Sequence, residues 1–160
     1  LKSKNTEPPA AAQLYQYALR LLTGRDYSTA VIRGKLAQKA ATEQDLEAVI
    51  LRLEHEGWLN DRRYAERFAA AALSSGKYFG VRLRMEMRRK GFPAEIISET
   101  LAPLLEEYDE LAEIRSVAER RYPGFSYSGA DDRDKRRVTG FLRRRGFGFS
   151  TIMWALRSEE

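Results

Sequence analysis

One six-position pattern occurs three times along this chain, and it leaves few folds open. Ile32 and Leu36 stand four residues apart and are followed by Lys39, Ala40, Leu46 and Ile50. Leu83 and Met87 keep that spacing, with Lys90, Gly91, Ile97 and Leu101 behind them. Val138 and Leu142 repeat it, with Arg145, Gly146, Ile152 and Leu156. Each copy reads apolar, apolar four on, basic seven on, small eight on, then apolar fourteen and eighteen on. The hexapeptides "MRRKGF" (87–92) and "LRRRGF" (142–147) are this pattern at its most basic point. The copies begin 51 and 55 residues apart, a period typical of tandem structural repeats.

The pattern translates directly into geometry. An apolar pair at i and i+4 is the buried stripe of a helix. The basic residue three positions later falls in the last turn, against the negative end of the macrodipole. A glycine beside it suits the left-handed conformation that closes helices. Lys39 with Ala40, Lys90 with Gly91 and Arg145 with Gly146 are therefore assigned to helix ends. Ala40 is the poorest terminator of the three, so the first break is expected to be less sharp. Helix starts follow each break: Thr42 as an N-cap, Pro93 in a first turn, and Ser150 as an N-cap.

Amphipathic stretches near 13–23, 61–73 and 107–121 add one helix ahead of each pair. Sustained β-branched alternation and Asn-Gly turns are missing, which argues against sheet folds. The expectation is an all-α fold of three tandem three-helix repeats, at 13–57, 58–105 and 106–160. A flexible polar tail is expected at 1–12, and "YPGFSYSGADD" (122–132) reads as a loop before the last helix pair.

Helix termination leaves the neighbouring arginines unexplained. With Leu83 and Met87 turned inward, Arg84 and Arg88 fall on one flank and Arg82 and Arg89 on the other. Around Val138 and Leu142, Arg136 and Arg143 point outward while Arg137 and Arg144 share a side. Segments 82–90 and 131–145 each carry a net +4, against −4 for 43–56 and −7 for 95–119. Second helices are thus basic, and third helices with the linkers after them acidic. Stacked repeats would align the basic helices in one stripe, which Arg33 and Lys35 extend into the first repeat. A stripe of that length suits a polyanion or a repetitive acidic surface better than a small ligand. A second basic edge lies in "GWLNDRRYAERF" (57–68). There Gly57 closes one helix, Asn60 or Asp61 caps the next, and Arg62, Arg63 and Arg67 flank the core positions Tyr64 and Phe68.

Catalytic chemistry finds little support. The chain has no cysteine and one histidine, which excludes a disulfide framework, a thiolate nucleophile and a Cys/His zinc site. No Gly-rich loop ends in Lys-Ser or Lys-Thr. His55 sits at the end of an acidic helix and reads as a helix-end or surface residue. Asp131, Asp132 and Asp134 have the oxygen ligands for Mg²⁺, but Arg133 and Lys135 oppose a divalent cation and an N-cap explains the cluster better. No cofactor is expected. No run reaches the roughly 18 apolar residues of a membrane span, and the first residues lack a signal-peptide core. The reading is a cytoplasmic protein, monomeric because no heptad pattern demands self-association. The chain opens on Leu1, so its first residue is not expected to be the natural start. A net charge of +5 accommodates nucleic acid or an acidic protein without choosing between them.

Taken in order, "YALRLLTGRDYSTAVIRGKL" (17–36), "GWLNDRRYAERF" (57–68), "GVRLRMEMRRKGF" (80–92) and "FLRRRGF" (141–147) resemble the RecX family of bacterial recombination regulators. The resemblance covers nearly all of 14–157, and Leu59-Asn60-Asp61 with Tyr64-Ala65 and the basic-Gly endings carry it. It implies an elongated, curved molecule built of three three-helix repeats. It also implies a non-enzymatic protein that binds the RecA recombinase filament and usually inhibits its ATPase and strand exchange. The basic stripe would then meet acidic residues of RecA and the phosphates of single- or double-stranded DNA. The alternative is a helical module that binds nucleic acid directly, without RecA. Two departures stand out: Ala40 replaces the glycine of the other endings, and Gly140 interrupts the last basic helix at a cost of roughly 1 kcal/mol relative to alanine.

Overall fold

The computed structural model describes residues 9–158. Among them the chain forms nine α-helices and no strand. In order these are α1 (Pro9–Gly24), α2 (Thr29–Ala37), α3 (Glu43–His55), α4 (Asp61–Ser75), α5 (Gly80–Arg89), α6 (Ala94–Glu106), α7 (Glu110–Arg121), α8 (Asp132–Arg145) and α9 (Phe149–Arg157). Extensive helix packing falls within the triplets: α1 on α3, α4 on α6, α7 on α9, with the second helix of each triplet against both.

The reason is the buried stripe. All twelve apolar positions of the repeated pattern are buried, and none exceeds the 9% exposure of Leu156. They form three separate cores instead of one. Ile32, Leu36, Leu46 and Ile50 join Leu14 and Ala18 of α1 in the first. Leu83, Met87, Ile97 and Leu101 meet Ala65 and Ala69 of α4 in the second. Val138, Leu142, Ile152 and Leu156 close on Ile114 and Val117 of α7 in the third.

Several helix ends differ from expectation for local reasons. Residues 9–12 belong to α1 and not to a tail, because Ala11 is buried in the first core one turn before Leu14 and Tyr15. The rest of the expected tail, residues 1–8, lies outside the described residues. Pro93 is the N-cap of α6 and not a first-turn residue. Gly148, not Ser150, caps α9. Thr42 caps α3 as expected, accepting from the Asp45 N–H at 3.1 Å. Asn60 caps α4 through the Arg63 N–H, and Asp131 caps α8 through the Asp134 N–H at 2.7 Å.

The repeats meet end to end at the basic helices. The C-terminus of α5 abuts the N-terminus of α2, where Ser28 Oγ donates to the Lys90 carbonyl at 2.6 Å. The C-terminus of α8 abuts the N-terminus of α5, where the Phe79 N–H donates to the Arg145 carbonyl at 2.9 Å. Negative helix ends thus face positive ones. Gly91 and Gly146 close their helices in left-handed conformations, with φ of +89° and +112°. They also let the neighbouring backbone in. A Cβ on Gly146 would lie 1.9 Å from the Phe79 carbonyl oxygen, and one on Gly91 would lie 2.6 Å from Ser28 Oγ. The repeated hexapeptide is therefore a joint as well as a helix ending.

Candidate interaction surface

The nominated cations divide by what they touch. Those at the helix ends are held inside the chain. Lys39 lies over the Tyr17 ring at 5.0 Å and Lys90 over Phe68 at 5.7 Å. Arg145 lies over Phe141 at 5.0 Å and donates to the Gly76 carbonyl at 2.7 Å across the second joint. Tyr17 and Phe68 are 51 residues apart, so the first two repeats seat the same basic position on the same aromatic position.

The edge contributed by α4 is also engaged internally. Arg62 pairs with Glu99 of α6, Arg63 donates to the Gly57 carbonyl at 2.7 Å, and Arg67 pairs with Asp26 at 2.8 Å. The last contact crosses from the second repeat to the first. Asp61 crosses too, accepting from the Thr29 N–H at 2.8 Å, so it serves the start of α2 while Asn60 caps α4. Arg62, Arg63 and Arg67 keep exposed surface, but each has a partner within the chain.

Within the basic helices the stripe thins. Arg33 pairs with Glu47 of α3, and that hydrogen bond pulls the Glu47 carboxyl below its ordinary range. Arg82 and Arg89 both reach Glu86, at 2.8 and 3.2 Å. Glu86 is 7% exposed, and the two guanidinium groups explain how a carboxylate is tolerated there. Arg137 pairs with Asp134 at 3.3 Å. Of the nominated stripe, five arginines remain without a carboxylate partner among the described residues: Arg84 and Arg88 on α5, and Arg136, Arg143 and Arg144 on α8. In the first repeat only Lys35 of the nominated stripe has none, and it lies over Tyr27 at 5.7 Å. Because α8 runs head to tail into α5, the two helices form one path, and these arginines are distributed along it over the second and third repeats.

A feature missed in the sequence lies beside that path. In each repeat a tyrosine between the first and second helices carries two cations. Tyr27 takes Arg25 at 4.6 Å besides Lys35, and Tyr78 takes Lys77 and Arg82 at 5.3 and 5.8 Å. Tyr127 takes Lys135 and Arg157 at 5.1 and 5.2 Å. Such contacts hold flexible cations in place. Tyr27 and Tyr78 are again 51 residues apart, which was the signal available beforehand.

Among the described residues no three acidic or histidine side chains converge as a metal site, and His55 is exposed at the end of α3. No helix among these residues is long and apolar enough to cross a membrane.

Comparisons with known proteins agree with this architecture repeat by repeat. Family models described as the first, second and third three-helix domains of RecX match residues 15–53, 60–101 and 107–156. A protein named "Regulatory protein RecX" from Trichlorobacter lovleyi is 48% identical over 133 residues, covering 83% of this chain and 86% of the relative. Its namesake from Syntrophotalea carbinolica is 35% identical, covering 89% and 93%. One from Thermus thermophilus is 36% identical, covering 90% and 92%. Among solved structures, RecX from Lactobacillus salivarius superposes with a TM-score of 0.75 at 19% identity, over 93% of this chain and 96% of that one.

Proposed function

The chain belongs to the RecX family of regulatory proteins, a family of regulators and not of enzymes, and from that premise we propose that it binds the RecA–DNA filament and restrains it. It acts in the cytoplasm, on the filament's outer surface or groove, through charge. The observation that supports this most is the run of five arginines on α5 and α8 that no carboxylate of the described chain neutralises. Cations already paired inside the chain gain little from a new acidic partner, whereas these five gain a full ion pair. Spread over two repeats, they can contact successive protomers of a polymer, and tethered weak contacts add by avidity. Holding neighbouring protomers in one relation opposes the subunit motion that ATP turnover and filament growth require.

Charge reversal tests this. Arg84→Glu with Arg88→Glu, and separately Arg136→Glu with Arg143→Glu, should leave thermal stability close to wild type, because none of the four holds an internal ion pair. Each pair should weaken filament binding at least tenfold and relieve inhibition of DNA-stimulated ATP hydrolysis in parallel. Inhibition that survives both reversals sinks the reading. Binding to naked DNA that falls with both reversals, while the ATPase of RecA is untouched by the wild-type protein, points instead to a nucleic-acid module acting alone.

A further inference from the structure

The last helix presents a surface that charge does not explain. Its inward face carries Ile152, Ala155 and Leu156, all buried in the third core. Outside that face Phe149 is 57% and Trp154 65% exposed, and Met153 between them is half-buried. Phe149 and Met153 are one turn apart, and Trp154 sits beside Met153 in an open groove that Arg157 also lines. Isolated apolar residues on a surface are ordinary, but here Met153 links Phe149, one turn before it, to Trp154, its neighbour in the groove, so the three form a strip that winds around the helix.

Two arginines border it. The Arg143 guanidinium lies over the Phe149 ring at 6.0 Å, and Arg157 lies over Tyr127 at 5.2 Å. Neither arginine has a carboxylate partner among the described residues, and α9 itself contains no acidic residue. Arg143 therefore belongs both to the path on α8 and to the border of this strip. We propose that the Phe149–Met153–Trp154 strip of α9 is the apolar anchor of the interaction surface. Its occupant is a protein segment that presents an apolar side chain flanked by carboxylates.

The composition favours protein over nucleic acid. Tryptophan, methionine and arginine are the side chains enriched where protein interfaces concentrate their energy. Methionine adapts its shape to a partner side chain. A platform for stacked bases needs open ring faces, and Arg143 covers one face of Phe149. An apolar anchor also supplies what a charged stripe lacks. Ion pairs at an exposed interface steer encounter and weaken with salt, whereas a buried aromatic slows dissociation at any salt. This anchor rests on the reading that the chain binds the RecA filament, whose protomers would carry the segment.

The experiment compares the full chain with its Trp154→Ala variant for binding to a preformed RecA filament on single-stranded DNA, at about 50 and about 200 mM salt. Trp154 is mostly exposed, so circular dichroism and the melting temperature should be unchanged. The variant should bind at least tenfold more weakly at both salt concentrations, with the salt slope of the wild type; the Arg136→Glu, Arg143→Glu variant should change the slope. In a Trp58→Phe background, the emission of Trp154 should shift to the blue when filament is added. Wild-type affinity in the Trp154→Ala variant overturns the anchor while leaving the RecA reading intact. A blue shift produced equally by the naked oligonucleotide, with loss of oligonucleotide binding in the variant, assigns the strip to nucleic acid and overturns the protein occupant. A wild-type chain that does not bind the filament removes the RecA reading, and the anchor with it.

Discussion

Two glycines in the same pattern position illustrate how much a single residue can carry. Gly146 is required twice, once by its φ of +112° and once because the Phe79 carbonyl occupies the space of a Cβ. Gly91 is required by its φ of +89°, but its nearest neighbour is the hydroxyl of Ser28, which can rotate away. Gly146→Ala is expected to cost at least about 2 kcal/mol, from left-handed strain plus displacement of the joint. Gly91→Ala should cost less. Urea denaturation of the two variants, read against wild type, checks both the size and the order. Ala40 fits the same account. Among the described residues no other repeat hydrogen-bonds to the end of α2, and this helix closes without a left-handed residue.

At the scale of the element, the basic helices are built for different ends. α5 carries Glu86 at its centre, which fixes Arg82 and Arg89 and leaves Arg84 and Arg88 available. α8 has no inward carboxylate, and its acids cluster in the first turn, where they suit the positive end of the macrodipole. Gly140 interrupts α8 without a reason inside the fold: an added Cβ would meet only the Arg144 guanidinium, at 3.3 Å. Gly140→Ala should therefore raise stability by up to about 1 kcal/mol, the helix-propensity difference. A thermal melt checks this, and an unchanged or lower midpoint would show that the Arg144 side chain cannot move aside. The charge asymmetry between helices was legible in the sequence. Which arginines remain unpaired was only partly so: the Glu86 pairs are i, i+3 and i, i+4 contacts within α5, whereas Glu47 and Glu99 reach their partners only once the helices are packed.

At the scale of the whole molecule, three small cores joined at helix ends behave differently from one large core. Each repeat contacts its neighbours over little more than a joint, so stability is a sum of repeat and interface contributions. The second joint is the more apolar: Phe79 is fully buried in the third core and stacks on Phe147 with ring centroids 4.4 Å apart. The first relies on Ser28, Asp61 and the Arg67–Asp26 pair. Leu142→Ala, which empties the third core, should cost about 2–5 kcal/mol there. Hydrogen exchange should show lost protection across α7–α9 and at the start of α5, with α1–α3 keeping theirs. Uniform loss across all nine helices would mean that the joints couple the repeats into one cooperative unit.

The sequence by itself determined the repeat, its period, the all-helical class and the twelve buried positions. These follow from 3.6-residue periodicity and helix-end chemistry, which act within a few neighbouring residues. It also determined that second helices are basic. Tertiary structure alone decided which cations are engaged from another segment. Lys90 seated on Phe68, Arg67 reaching Asp26, and a glycine that yields to a carbonyl 67 residues away are contacts between segments, and pattern along a chain does not encode distance between segments. The exposed strip of α9 belongs to the same class. Ile152, Ala155 and Leu156 fill the inward side and leave Phe149 and Trp154 exposed.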